Sequence, residues 1–164
     1  LGLFALAFVC AATFAPAARA ADNPALLKLQ AKGDFASVLS SVKTALEAKQ
    51  FMITGEENLA KGLENNKAVF GEDKWNTIGF KDATAVHFCS LAFNQEVFNQ
   101  SMDWSVLCPF KVVLYTMKAK PDEVHLVTVR PTYLLARDPH KKAGETGKKI
   151  EARILSALKE GVGK

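Results

Sequence analysis

Residues 108–130 read CPFKVVLYTMKAKPDEVHLVTVR. Two runs rich in β-branched and aromatic residues, Cys108–Met117 and Val124–Arg130, flank the polar stretch Lys118–Asp122 with its Pro121. Two such runs joined by a short turn-forming segment predict an antiparallel hairpin. Pro109 opens the first run, which suits a residue without a backbone N–H that is confined to strand starts and edges.

Working back from the hairpin, Thr84–Cys89 (TAVHFC) alternates and predicts another strand. Ser90 then caps a helix to about Gln100, with Phe93 and Val97 on one face and Leu91 and Phe98 on another. Phe35, Val38, Leu39, Val42 and Leu46 form one apolar stripe, so a helix is expected over Phe35–Ala48, capped by Asp34 after Gly33. Ala25–Ala31 reads as a first strand, and Phe51–Thr54 as a short one closed by Gly55. Glu56–Asn76 is polar and predicts a short helix followed by a loop. Beyond the hairpin, Pro131–Pro139 reads as loop. Ile150, Ile154, Leu155 and Leu158 mark a C-terminal amphipathic helix over about Glu145–Glu160. The order is β-α-β-(α)-β-α-β-β-α. It predicts an α+β fold: a mainly antiparallel sheet of about 4–5 strands with helices packed on one face.

The first twenty residues, LGLFALAFVCAATFAPAARA, carry an apolar run from Leu1 to Phe14 and then the small-x-small pattern Ala18-Arg19-Ala20. This predicts a secretory signal peptide cleaved after Ala20, and a periplasmic or secreted domain over residues 21–164. The run is shorter than the ~20 apolar residues of a membrane span, so no stable span is expected after cleavage. The lack of Met and of a basic segment before the run points to a start upstream of Leu1. Cys10 would suit a lipoprotein, but Val9 stands before it where the lipoprotein signal wants a small residue. The formal charge of +4 falls to +3 when Arg19 is removed. Lys141-Lys142 and Lys148-Lys149 sit in or beside a helical, Glu-containing stretch without interleaved aromatics. That pattern and export both argue against nucleic acid as a partner.

Two motifs carry a family likeness. One is Val86-His87-Phe88-Cys89-Ser90 leading into Phe93–Phe98; the other is Leu107-Cys108-Pro109-Phe110-Lys111-Val112. With the helix Phe35–Ala48 ahead of Phe51-Met52-Ile53, the chain resembles the domain-of-unknown-function 302 family over about residues 27–131. The resemblance implies a fold similar to that of the TATA-box-binding protein. It implies nothing about DNA, because fold does not fix function. Ser90 stands where Asn is common in the family pattern, and the second motif runs Cys-Pro instead of Pro-Cys.

Loss of Cys10 with the signal peptide leaves Cys89 and Cys108. In an oxidising compartment they are a disulfide candidate, closing a loop of about 20 residues. Antiparallel neighbouring strands would bring the two sulfurs to one end of the sheet. Parallel ones would hold them a strand length apart, beyond the ~7 Å Cα limit for a bridge. Free thiols give a second reading. His87 and Cys89 lie two apart and share a strand face. With Cys108 they would form a soft Cu or Zn site, Met102 or Met117 adding a further ligand for copper. No CxxC, CxxCH or HxxxH accompanies them. A Cys/His nucleophile and base would need an orienting carboxylate, and no spacing singles out Glu96, Asp103 or Asp122. His125 and His140 read as surface or rim. Phe88, Phe93, Phe98, Trp104 and Phe110 cluster around both cysteines, either as core or as the lining of an apolar pocket. Trp75, in a polar loop, suits an interface.

The sequence therefore predicts an exported binding or accessory module without catalysis, for a small apolar ligand or an envelope protein. The alternative is a thiol or metal site for copper handling or redox on His87, Cys89 and Cys108, and a structural role in an envelope assembly is a third. Exposed sheet edges favour a homodimer.

Overall fold

The computed structural model describes residues 23–164, and the expected signal peptide with its cleavage position lies outside the described residues. Five strands form one sheet: β1 (Leu26–Lys32), β2 (Met52–Asn58), β3 (Phe80–Cys89), β4 (Phe110–Met117) and β5 (Lys120–Val129). Their spatial order is β1-β5-β4-β3-β2, and every neighbouring pair is antiparallel. The helices are α1 (Phe35–Ala48), α2 (Leu59–Asn65), α3 (Lys67–Phe70), α4 (Leu91–Phe98), α5 (Pro131–Leu135) and α6 (Lys141–Gly161), with a 3-10 segment at Met102–Leu107. The fold is α+β, as the alternating and helical periodicities require. No helix among the described residues is long and apolar enough to cross a membrane.

One face of the sheet carries Leu27, Phe88, Val112, Leu114 and Leu126, all buried. Against it pack Val38, Val42 and Leu46 of α1 and Ile150, Ile154 and Leu158 of α6. Helix α1 keeps its expected bounds. Asp34 caps it, its Oδ2 accepting from the Ser37 backbone N–H at 2.9 Å and from Ser37 Oγ at 3.0 Å. The other face is open. Val113, Tyr115, His125 and Val127 are half-buried there, while Lys28, Glu57 and Lys111 are exposed.

Several boundaries differ from expectation, each for a local reason. The hairpin is tighter than Lys118–Asp122: Met117 pairs with Lys120, leaving Lys118-Ala119 as the turn. Pro121 falls inside β5, but β1 begins to pair only at Glu123, so its missing N–H interrupts no β1 contact. Gly55 does not close β2. The register shifts between Ile53 and Gly55, a bulge that lets the strand run on to Asn58. Strand β3 begins at Phe80, anchored by Asn76, whose side chain accepts from Phe80 N–H at 2.9 Å and donates to its carbonyl at 2.7 Å. The expected loop after Pro131 holds α5, with Pro131 in the first turn where a proline needs no N–H partner. Glu151 of α6 completes that helix start, accepting from Thr132 N–H at 3.1 Å, from Thr132 Oγ1, and from Arg130 Nη1 at 2.9 Å. Helix α6 itself begins at Lys141, about a turn before the expected start at Glu145.

Candidate functional site

Strand β3 ends at Cys89, and Cys108 follows the 3-10 segment just ahead of β4. The two strands are antiparallel and Phe88 pairs with Phe110, so both cysteines lie at one end of the sheet. Their Cα atoms are 5.9 Å apart and the sulfurs sit at disulfide distance. The parallel arrangement, which would have kept them apart, does not occur. Asn94 of α4 donates from Nδ2 to Cys108 Sγ at 3.0 Å. Ser90, beside Cys89, caps α4 by accepting from Phe93 N–H at 3.4 Å and also accepts from Arg153 Nη1 at 3.4 Å. The sulfur pair thus ties β3 to β4 where α4 and the 3-10 segment leave the sheet.

Of the remaining soft-ligand candidates, His87 shares a face of β3 with Cys89, and the methionines are not brought to the sulfur pair. His87 projects from β3 beside Gly55 and lies 3.9 Å from Glu57, Nε2 to Oε2. Met102 is exposed, and Met117 sits at the far end of β4 from Cys108. Among the described residues no three His, Cys, Asp or Glu side chains are grouped to hold a metal ion. A bond between the two sulfurs would leave Cys89 and Cys108 without a free thiolate for a Cu or Zn ligand set with His87.

The aromatic cluster is largely core. Phe88, Phe93 and Phe110 are buried, with ring centroids 5.7 Å apart for Phe88–Phe110 and 5.0 Å for Phe93–Phe110. Phe51 meets Phe88 edge-on at 5.2 Å. Phe98 and Trp104 are partly buried against the same core. Trp104 Nε1 donates to Asp138 Oδ2 at 2.5 Å, and the Asp138 Oδ1 carboxylate atom lies 2.7 Å from both the backbone N–H and Nδ1 of His140. Burial acts to raise the Asp138 pKa, but the hydrogen bonds from His140 and Trp104 together outweigh it and hold the carboxyl below its usual value. Trp75 meets Phe80 edge-on at 5.7 Å.

The apolar recess lies next to that cluster. A groove of about 270 Å³ opens between the start of β4 and the end of β5, walled by Val106, Leu107, Pro109, Val129, Pro131 and Leu134. Of the five expected lining aromatics, only Phe110 reaches it. Val106 is 77% exposed and Val129 48%, large exposures for aliphatic side chains gathered in one place. These residues carry no sequence signal of a pocket. They are single aliphatics at strand ends and in short helices, and only the fold assembles them.

A second, polar feature occupies the open face. The His125 ring stacks on Tyr115 with centroids 4.8 Å apart and planes 11° from parallel. Gln30 Nε2 lies 3.0 Å from His125 Nδ1, and Glu123 Oε1 lies 3.3 Å from His125 Nε2. His125 therefore lies on the open surface of an interior strand, with both ring nitrogens engaged.

Together these define a disulfide-distance, open-faced α+β protein with one helix-covered sheet face. The family model for "Domain of unknown function DUF302" matches residues 27–160, so the chain belongs to that family. The match runs past Pro131 and takes in most of α6. In structure the chain is similar to an "uncharacterized conserved protein DUF302" from Bacillus stearothermophilus, known from a crystal structure. The TM-score is 0.71 at 14% identity, over 84% of this chain and 98% of that one. At that identity the likeness speaks for the fold alone. No curated protein matches the chain.

Proposed function

We propose that this chain is an exported, non-catalytic binding module that takes a small apolar ligand in the groove beside the Cys89–Cys108 pair. The observation that carries the reading is the gathering of Val106, Leu107, Pro109, Val129 and Leu134 around one recess, with Val106 and Val129 largely exposed. Exposed aliphatics scattered singly need no explanation; a contiguous set lining a concavity marks a binding surface. The volume is slightly below the usual ligand-pocket range of about 300–1,000 Å³, which suits a small ligand. Export rests on the apolar run and small-x-small pattern of residues 1–20, and a paired Cys89–Cys108 is consistent with an oxidising compartment. An envelope protein inserting one apolar side chain is the alternative occupant.

The test is titration of the purified protein with an environment-sensitive apolar dye, repeated with Val106→Asp and Leu134→Asp. Trp104 borders the groove in sequence and serves as an intrinsic reporter. Saturable dye binding that both substitutions abolish, with unfolding midpoints unchanged, supports the groove. Dye binding that survives both places the apolar surface elsewhere. Secretion with residues 1–20 present, giving a mature chain that begins at Ala21, checks the export reading.

A further inference from the structure

We infer that the groove takes an amphiphile with a single negative head: an alkyl carboxylate of about six to eight carbons, its chain in the recess and its carboxylate on Lys111. This rests on the groove reading proposed above and names the class of ligand. Among the described residues that line the groove, Lys111 alone is charged. It is exposed at the second position of β4. Val112 pairs with Thr128, so the register sets Lys111 opposite Val129, on the same open face, where Val129 walls the recess. Thr128 Oγ1 donates to the Lys111 backbone carbonyl at 2.7 Å, which fixes the root of the side chain at the groove rim.

The other donors nearby are engaged. Arg130 Nη1 and the Thr132 N–H, at the start of α5, both go to Glu151, at 2.9 and 3.1 Å. On the far side His87 pairs with Lys111 in the ladder, and its Nε2 lies 3.9 Å from Glu57, which stands on β2, two strands from Lys111 and outside the groove lining. Among the described residues no carboxylate lies within ion-pair distance of the Lys111 ammonium. A cation without an acidic partner, at the rim of an unfilled apolar recess, selects an anion whose body is apolar. The head carries one charge and not two. Pro109 and Pro131 bring no N–H to the recess and the Thr132 N–H is taken, so the lining described offers no nest of backbone donors for a phosphate. The recess of about 270 Å³ has room for about nine heavy atoms at the ~30 Å³ that a water takes in the liquid, which sets the chain length.

Isothermal titration with octanoate and octanol, which share a chain and differ in the head, reads the inference. Both should saturate at one site and lose binding in Val106→Asp. Lys111→Met, which keeps most of the stem and removes the charge, should weaken octanoate ~5-fold and leave octanol unchanged, while Lys111→Arg keeps the wild-type affinity. From butanoate to octanoate the affinity should rise by up to about 4-fold per methylene. Octanoate binding that ignores Lys111→Met overturns the carboxylate inference and leaves the groove reading standing, because octanol still reports the groove. A preference for phosphatidylglycerol vesicles over octanoate also overturns it, assigning the patch to a membrane surface. Failure of octanoate, octanol and the dye alike to bind the wild-type protein overturns both readings. Lys111 is exposed, so its variants keep the fold, and unchanged unfolding midpoints verify this.

Discussion

Gly161 closes α6 against α1, and replacing it by alanine pits two effects of known size against each other. A Cβ at this position would lie 2.7 Å from Val42 Cα, 3.0 Å from Val42 Cγ2 and 3.2 Å from Val42 N. Two of those atoms are backbone, so no rotamer change relieves the clash, and α6 must move away from α1 by more than half an ångström. Val42 is fully buried between the helices and the sheet, so the movement opens the packing around Leu158 and Leu46 as well. Overpacking of this kind costs about 1–3 kcal/mol. Against it stands the helix preference for Ala over Gly, at most about 1 kcal/mol in a helix interior and less at the last residue. The clash wins, and Gly161→Ala should lose about 1–2 kcal/mol. Gly144, also in α6, is the control: its Cβ would meet nothing closer than 3.9 Å, so Gly144→Ala gains a few tenths of a kcal/mol up to ~1. Urea unfolding with the cysteines kept oxidised reads both, as midpoint shifts of opposite sign at constant slope. A Gly161→Ala midpoint at or above wild type would refute the claim that α6 and α1 touch backbone to backbone here.

The other expectations concern the sulfur pair and the first helix. Reduction should add the mass of two hydrogens and cost about 3 kcal/mol, the loop-closure value for the 19-residue separation of Cys89 and Cys108; free alkylation of both thiols without a reductant would show that no bond forms. Asp34 has its pKa lowered, chiefly by the Ser37 backbone N–H and then the Ser37 hydroxyl. A folded value below the unfolded one means that its stabilisation is present above about pH 4 and is lost as the pH falls through the lowered folded value. Asp34→Ala should therefore remove part of the acid sensitivity of unfolding, and an unchanged pH profile would count against the cap.

The hairpin, β3, α1 and α6 were legible because each carries a periodicity that its own residues satisfy. Phe35, Val38, Val42 and Leu46 face one way on a helix whatever surrounds them. The elements missed were those whose cause lies elsewhere in the chain. Helix α5 has five residues and no stripe of its own, and its start is completed by Glu151, twenty residues later in sequence. The extension of β2 past Gly55 depends on a bulge against Phe88 and His87, partners supplied by β3. The cysteine pair was only half legible: two sulfurs in an exported chain suggested a bond, but its feasibility depended on whether β3 and β4 ran antiparallel. The aromatic cluster was undecided for a similar reason. Rings near both cysteines in sequence fit either core or pocket wall, and only the fold decides: Phe88 and Phe110 alternate onto the helix-covered face, and Phe93 of α4 packs on Phe110 there.

The same alternation explains why function is harder to read here than fold. Every strand residue on the covered face is constrained by packing, and its neighbours along the strand are left to serve the open face. Val113 lies between Val112 and Leu114, both fully buried, and in a run of apolar letters nothing separates it from them. Only the register makes it the midpoint of a row that begins at Lys28 and ends at Glu57. A one-residue slip of β5 against β4 would turn Val127 and His125 into the core and break that row. The slip is resisted from the covered side, where Val124, Leu126 and Thr128 are buried in alternation. Packing on one face thus sets the charge and apolar pattern on the other. A substitution on the open face that leaves the core intact, such as Val113→Glu, should accordingly leave the helix-covered face, and with it the fold, unchanged.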